Sequence, residues 1–133
     1  MILERTCDLE YLNNKKLSDS DIIFKIKDEE EAIGVLGIIK GGFIYITYLE
    51  IYESYRRKGN GIAAVMMLKS IYSDKDIHGI ALESSLSFWN NVGAEFLDED
   101  DETGNVAMLG HMPFIIKNNT KGGNVGNVNT KRN

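Results

Sequence analysis

The chain has 133 residues, one domain's worth, and folding at that length buries roughly two thirds of the unfolded surface, enough for a core without staples. Its net charge of −5 is uneven: residues 117–133 hold Lys117, Lys121, Lys131 and Arg132 and no acid, which leaves −9 for the body before them, a charge that repels nucleic acid unless a local basic patch overrides it. One cysteine, Cys7, and two histidines, His78 and His111, exclude a disulfide framework and a zinc-type ligand spacing, and with no basic leader and no apolar run near the ~18 residues of a membrane span, the expectation is a cytoplasmic protein with no membrane partner.

Apolar residues at 9, 12 and 17 around Tyr11 predict a short amphipathic helix over 9–17, with Asp8 as its N-cap. Residues 21–27 read as a strand, closed by the acidic turn 28–31. The next run, 32–40, is apolar nearly throughout, as in a strand buried on both faces. Gly41 and Gly42 make a hairpin-type turn, and 43–51 follows as a third run, β-branched and aromatic. Three strands joined by short turns make an antiparallel meander.

The period then changes. After a basic, glycine-punctuated turn, residues 62–72 are strong helix formers with little polarity, the pattern of a helix laid against a sheet, with Met66 and Met67 in its core. Residues 73–76 end that helix, 77–82 form a short strand, 84–91 a helix closed by Val92 and Gly93, and 94–97 the start of another strand. The acidic run 98–102 with Thr103 and Gly104 reads as a solvated hairpin tip, since it lacks the ligand spacing of a calcium loop. A last strand is expected over 105–112. The Gly- and Asn-rich residues 117–133 cannot offset their ordering entropy and read as a mobile basic tail after a single domain over 1–116.

The turn carries chemistry. Arg56-Arg57-Lys58-Gly59-Asn60-Gly61 joins the third strand to the helix, and Gly59 and Gly61 let the backbone turn tightly and lie close to a ligand. The first N–H groups of the helix have no intrahelical acceptor, and with the positive end of the helix dipole they attract an anion. Three cations, Arg56, Arg57 and Lys58, stand beside the same spot.

On these residues the chain resembles the GCN5-related N-acetyltransferase (GNAT) superfamily. The family's phosphate loop has Gln or Arg, then Gly three positions on and Gly or Ala two further; here these are Arg56, Gly59 and Gly61, preceded by Leu49 and Ile51 and followed by an apolar helix. The segment Phe88-Trp89-Asn90-Asn91-Val92-Gly93-Ala94 is similar to the second signature, Phe-Tyr-x-x-x-Gly-Phe. The resemblance covers about residues 20–112. It implies an α+β fold, an α/β sandwich with a mixed, mostly antiparallel central sheet and helices on both faces. The strands at 43–51 and 77–82 would run parallel and splay apart around the cofactor. It also implies acetyl-coenzyme A as cofactor: the backbone at Leu49 to Ile51 would bind the thioester carbonyl and pantetheine arm. The loop residues Arg56, Arg57, Lys58, Gly59, Asn60, Gly61 and Ile62 would hold the pyrophosphate.

The implied reaction is attack of a neutral amine on the thioester, with a strand N–H holding the oxyanion. The acceptor would be an amine of a small molecule or protein, cationic acceptors being favoured by the acidic body. Acceptor pockets in such folds are built largely from segments matching 9–20 and 98–104. Where the family often has a tyrosine acid, this chain has Trp89, whose indole N–H donates a hydrogen bond but does not give up its proton. A thiolate leaving group needs less help than an alkoxide, because a thiol pKa is about 8.5. Glu50 is the first candidate base, with Tyr48, Tyr52 and Glu83 behind it. His78, His111 and Cys7 read as structural, Cys7 as a small core residue. The alternative is a catalytically weak coenzyme A-binding module that works through partners. A third reading, transfer to aminoacyl-tRNA, calls for broad basic surfaces that this chain lacks outside the loop and tail. The oligomeric state stays open, a homodimer included.

Overall fold

The computed structural model describes residues 1–97 and 111–118. The acidic run 98–102, the tip at 103–104, residues 105–110 of the strand expected over 105–112, and the tail from 119 onward lie outside the described residues. The chain divides into two compact units, one ending at Ile71 and the other beginning at Tyr72.

In the first unit, short runs rich in apolar and β-branched residues produce strands β1 (Ile2–Arg5), β2 (Ile22–Asp28), β3 (Glu31–Lys40) and β4 (Ile44–Ile51). They pair in sequence order, each antiparallel to the next. The expected meander is therefore present, with β1 added along the free edge of β2. β1 is four residues long, too short for a period to show in sequence. β3 is buried without a break from residue 33 to 38, as its apolar run implied. Between Gly37 and Ile38 the partner on β4 steps from Tyr48 to Ile46, so Thr47 is an extra residue in β4. Such a bulge re-aims the side chains after it. Tyr48 then packs against Tyr11, Leu17, Ile23 and Val35, and Glu50, opposite Val35 in the register, lies on that same face.

The expected helix over 9–17 is a single turn, α1 (Leu9–Leu12). Asp8 makes no side-chain cap bond; its carboxylate instead pairs with Lys25 of β2 at 3.0 Å. Leu9 is 72% exposed, and Tyr11 and Leu17 carry the burial that the spacing had assigned to positions 9, 12 and 17. Beyond α1, Asn14 Oδ1 accepts from the Lys16 N–H at 2.8 Å, and the Ser20 and Thr47 hydroxyls meet at 2.6 Å. The segment is thereby tied to the bulge. Helix α2 (Asn60–Ile71) begins two residues before the expected start, contacts β1 and β4, and buries Ala64, Val65 and Leu68. Met66 is exposed, not core. Cys7 is exposed as well, so it is not the buried small residue expected.

In the second unit, β5 (Ile77–Leu82), β6 (Glu95–Phe96) and β7 (His111–Ile116) lie in the order β5-β7-β6, both pairs antiparallel. β5 has the expected bounds. β7 runs on to Ile116, four residues past the expected end of the last strand. The helix expected over 84–91 opens as a 3₁₀ turn, Glu83–Ser85, and continues as α3 (Leu86–Asn91). Gly93, at φ 91°, closes it: the Gly93 N–H bonds to the Asn90 carbonyl at 3.1 Å and the Ala94 N–H to the Trp89 carbonyl at 3.0 Å, the paired bonds of a left-handed C-terminal cap. Asn118 is anchored, its N–H to Asp76 at 2.8 Å and its side-chain amide to the Tyr72 carbonyl at 3.1 Å. Among the described residues no helix is long and apolar enough to cross a membrane.

Candidate active site

The turn between β4 and α2 is built by two left-handed residues. After β4, a 3₁₀ turn (Glu53–Tyr55) carries the chain outward, and Arg57 at φ 63° and Gly59 at φ 79° reverse it. Glycine takes that conformation freely; arginine does so at a cost of about 1–2 kcal/mol. The Asn60 side-chain amide donates to the Tyr55 carbonyl at 2.8 Å and clamps the start of the helix to the far side of the turn. The first intrahelical bond runs from the Ala63 N–H to the Gly59 carbonyl at 3.0 Å. The N–H groups of Asn60, Gly61 and Ile62 therefore belong to the first turn, where a helix offers no internal acceptor. A Cβ placed on Gly59 would meet nothing within 4 Å, so the space beside Gly59 is open. Arg57 and Lys58 are exposed beside it. The turn brings together backbone donors, a helix dipole and two cations, which is chemistry for an anion.

Arg56 is turned the other way. Its Nε donates to the Ile51 carbonyl at 2.6 Å, and its Nη2 lies 3.7 Å from Glu50 Oε2. Glu50 Oε1 accepts from the Tyr48 hydroxyl at 2.9 Å, so both carboxylate oxygens have partners. Burial, then the hydrogen bond to Glu50, raises the Tyr48 pKa above its ordinary value. Tyr52 is raised further, first by burial and then by a hydrogen bond with Tyr11. Leu49 and Ile51 stand opposite Leu36 and Gly34 in the register, on the other face of β4, and are half-buried. Glu50 thus sits in a tyrosine-lined patch formed by β4 and α1. Tyr11 and Lys16, whose ammonium lies 5.5 Å from the Tyr48 ring centre, belong to that patch and were not singled out in the sequence. The only sequence signal for it was the i, i+2 spacing of Tyr48, Glu50 and Tyr52.

The remaining candidates lie in the second unit. Trp89 is 7% exposed, stacked on Phe114 at 4.4 Å between ring centres and edge-on to Phe88 at 4.9 Å. Glu83 is exposed at the start of the 3₁₀ turn. His78 and His111 lie within strands, opposite Ile115 and Leu82. Among the described residues, no group of three or more His, Cys, Asp and Glu side chains is placed to hold a metal ion.

No family model matches the sequence, and no curated protein matches it. Solved structures do match in fold. An acetyltransferase from Thermus thermophilus aligns at a TM-score of 0.59 and 12% identity over 75% of this chain and 66% of its own. A Bacillus subtilis N-acetyltransferase in complex with coenzyme A aligns at 0.56 and 20% identity over 80% and 76%. A GNAT family acetyltransferase from Elizabethkingia anophelis with acetyl-coenzyme A bound aligns at 0.61 and 16% identity over 86% and 96%. The chain therefore spans just under two thirds of the Thermus protein and nearly all of the Elizabethkingia one. The fold is that of the GNAT acetyltransferases, α+β with a mixed, mostly antiparallel sheet and helices, as the two sequence signatures implied.

Proposed function

We propose that this chain, having the GNAT fold, is an acetyl-coenzyme A-dependent N-acetyltransferase acting on an amine of a small molecule or protein. The observation that carries the reading is the left-handed turn at Arg57 and Gly59 that leads into α2, with open space beside Gly59 and with Arg57 and Lys58 exposed. Its residues fit a pyrophosphate: the N–H groups from Arg57 to Ile62 would hold the phosphate oxygens, with Arg57 and Lys58 as counter-charges. Coenzyme A-bound relatives of the same fold support the same ligand. The β4 backbone from Leu49 to Ile51 is the assigned site for the thioester and pantetheine arm. Bound there, acetyl-coenzyme A supplies an activated acyl carbon and a thiolate leaving group.

Glu50 is the assigned base. Its carboxylate, held by the Tyr48 hydroxyl and faced by Arg56, takes the proton that an incoming ammonium must lose. Arg56, to which the family resemblance gave the pyrophosphate, then acts as a positioning residue for Glu50 and the end of β4. We assign the activity to residues 1–116. The exposed Cys7 thiol fits a reducing cytoplasm.

Calorimetry with acetyl-coenzyme A tests the reading. Micromolar binding that Gly59→Glu abolishes is expected, because glutamate at φ 79° is strained and adds a negative charge beside the phosphates. No binding at millimolar cofactor would refute the proposal. The packing of Trp89 among Phe88 and Phe114 favours a second reading, a coenzyme A-binding module without efficient turnover. Intact cofactor affinity with no thiol release across a panel of amines would select it.

A further inference from the structure

The patch around Glu50 has the chemistry of an ammonium site. Three tyrosines, Tyr11, Tyr48 and Tyr52, line it, and Glu10 and Glu50 both act on the Tyr52 hydroxyl. Tyrosine faces attract cations within about 6 Å of the ring centre, and a carboxylate adds to the attraction. A cation is already there: the Lys16 ammonium lies 5.5 Å from the centre of the Tyr48 ring, the ring whose hydroxyl bonds Glu50 at 2.9 Å. Lys16 is held in place by its neighbours in the chain. Its N–H is bonded to Asn14, Leu17 beside it is 1% exposed, and Ser20 is bonded to the β4 bulge at Thr47.

We infer that the Tyr48 ring and the Glu50 carboxylate form the seat for a primary alkylammonium acceptor, and that Lys16 is the resident of that seat and accepts an acyl group there. The inference rests on the acyl-transfer reading above. The step balances without a further reactant. The Lys16 ammonium loses one proton to solvent by way of Glu50. Its Nζ lone pair forms the C–N bond of an amide, the thioester C–S bond breaks, and the second proton ends on the coenzyme thiol. Acylation removes the Lys16 charge, so the ring is left open to free amines.

Two measurements on the full chain test this. First, the protein is incubated with acetyl-coenzyme A and its acylated lysines are mapped by peptide mass spectrometry. Lys16 should be modified at least about tenfold faster than its exposed neighbour Lys15, a modest proximity effect. The first-order rate should be independent of protein concentration, and Tyr48→Leu should bring Lys16 down to the Lys15 rate. Second, calorimetry without cofactor compares butylamine binding to the wild type and to Lys16→Ala. The variant should bind about two- to fivefold more tightly, the worth of one displaced cation–ring contact. If acetyl-coenzyme A binds but Lys16 reacts no faster than Lys15, the inference fails and the proposed function stands. Equal butylamine affinity of the two proteins also overturns it. If the cofactor does not bind at all, both fall.

Discussion

Glu50 owes its setting to one inserted residue. Without the bulge at Thr47, strand alternation would send Tyr48 and Glu50 to the opposite face of β4, away from Val35 and the α1 segment. With it, a carboxylate, two phenols and a guanidinium converge. If Glu50 is the base, Glu50→Gln should keep cofactor affinity and lower kcat by about 10²–10⁴, the usual worth of general base catalysis. Parallel calorimetry and steady-state rates measure the two effects, and a variant with unchanged kcat would remove Glu50 from the chemistry. Tyr52 gives a prediction in stability. Its phenol resists ionisation in the fold but ionises at about 10 when the chain is unfolded. Above that pH the unfolded state therefore binds fewer protons than the native state, and stability falls as pH rises. Urea midpoints from pH ~9 to ~12 should decline in the wild type and decline less steeply in Tyr52→Phe. At neutral pH that variant should lose about 1 kcal/mol with the Tyr11 hydrogen bond.

At the scale of elements, the end of β4 depends on how closely β3 lets it approach. A Cβ on Gly34 would collide with the Glu50 carbonyl oxygen and would reach the Ile51 Cα at 3.2 Å. Backbone atoms cannot swing aside as a flexible side chain can. Gly34→Ala should therefore push β4 outward at Glu50 and Ile51, cost about 1–3 kcal/mol in thermal unfolding, and weaken acetyl-coenzyme A binding. A variant with wild-type stability and affinity would mean that this strand end is not a fixed part of the site. The meander, the buried run of β3, the turn at Arg56 to Gly61 and β5 were legible in the sequence because each is fixed by a local pattern of apolar residues or glycines. The shortening of α1 was not. Asp8 stands at the N-cap, but its carboxylate pairs with Lys25, some way along the chain in β2, instead of capping the helix, and Tyr11 took the inward position from Leu9 and Leu12. The start of α2 was read two residues late because Asn60 and Gly61 are poor helix formers, held there by the clamp on Tyr55 and the orientation of the turn. The tyrosine patch was illegible for a related reason: it joins α1, β3 and β4 through a bulge that no periodicity announces.

At the scale of the whole molecule, if the chain acylates amines as proposed, its charge should bias which acceptors arrive. The basic residues of the turn are local, while the chain as a whole carries −5, and −9 without residues 117–133. A field of that sign raises the local concentration of cations and repels polyanions. It would add to the short-range attraction proposed for Glu50 and the tyrosine rings, but the two respond differently to salt. Long-range steering is screened as the Debye length shrinks from about 10 Å at 0.1 M to about 3 Å at 1 M, whereas the contact with a tyrosine face is already inside that distance. For a diamine acceptor, KM should rise severalfold across that range with kcat little changed. For a neutral-tailed monoamine the rise should be smaller, since only one charge is steered. Acetyl-coenzyme A, an anion approaching an acidic protein through a small basic turn, should show the weakest dependence of the three, attraction by Arg57 and Lys58 being offset by repulsion from the body. Steady-state kinetics at several ionic strengths separate these cases. Equal salt dependence for the diamine and the monoamine would mean that acceptor choice is made entirely by contacts at the site, with no contribution from the charge of the chain.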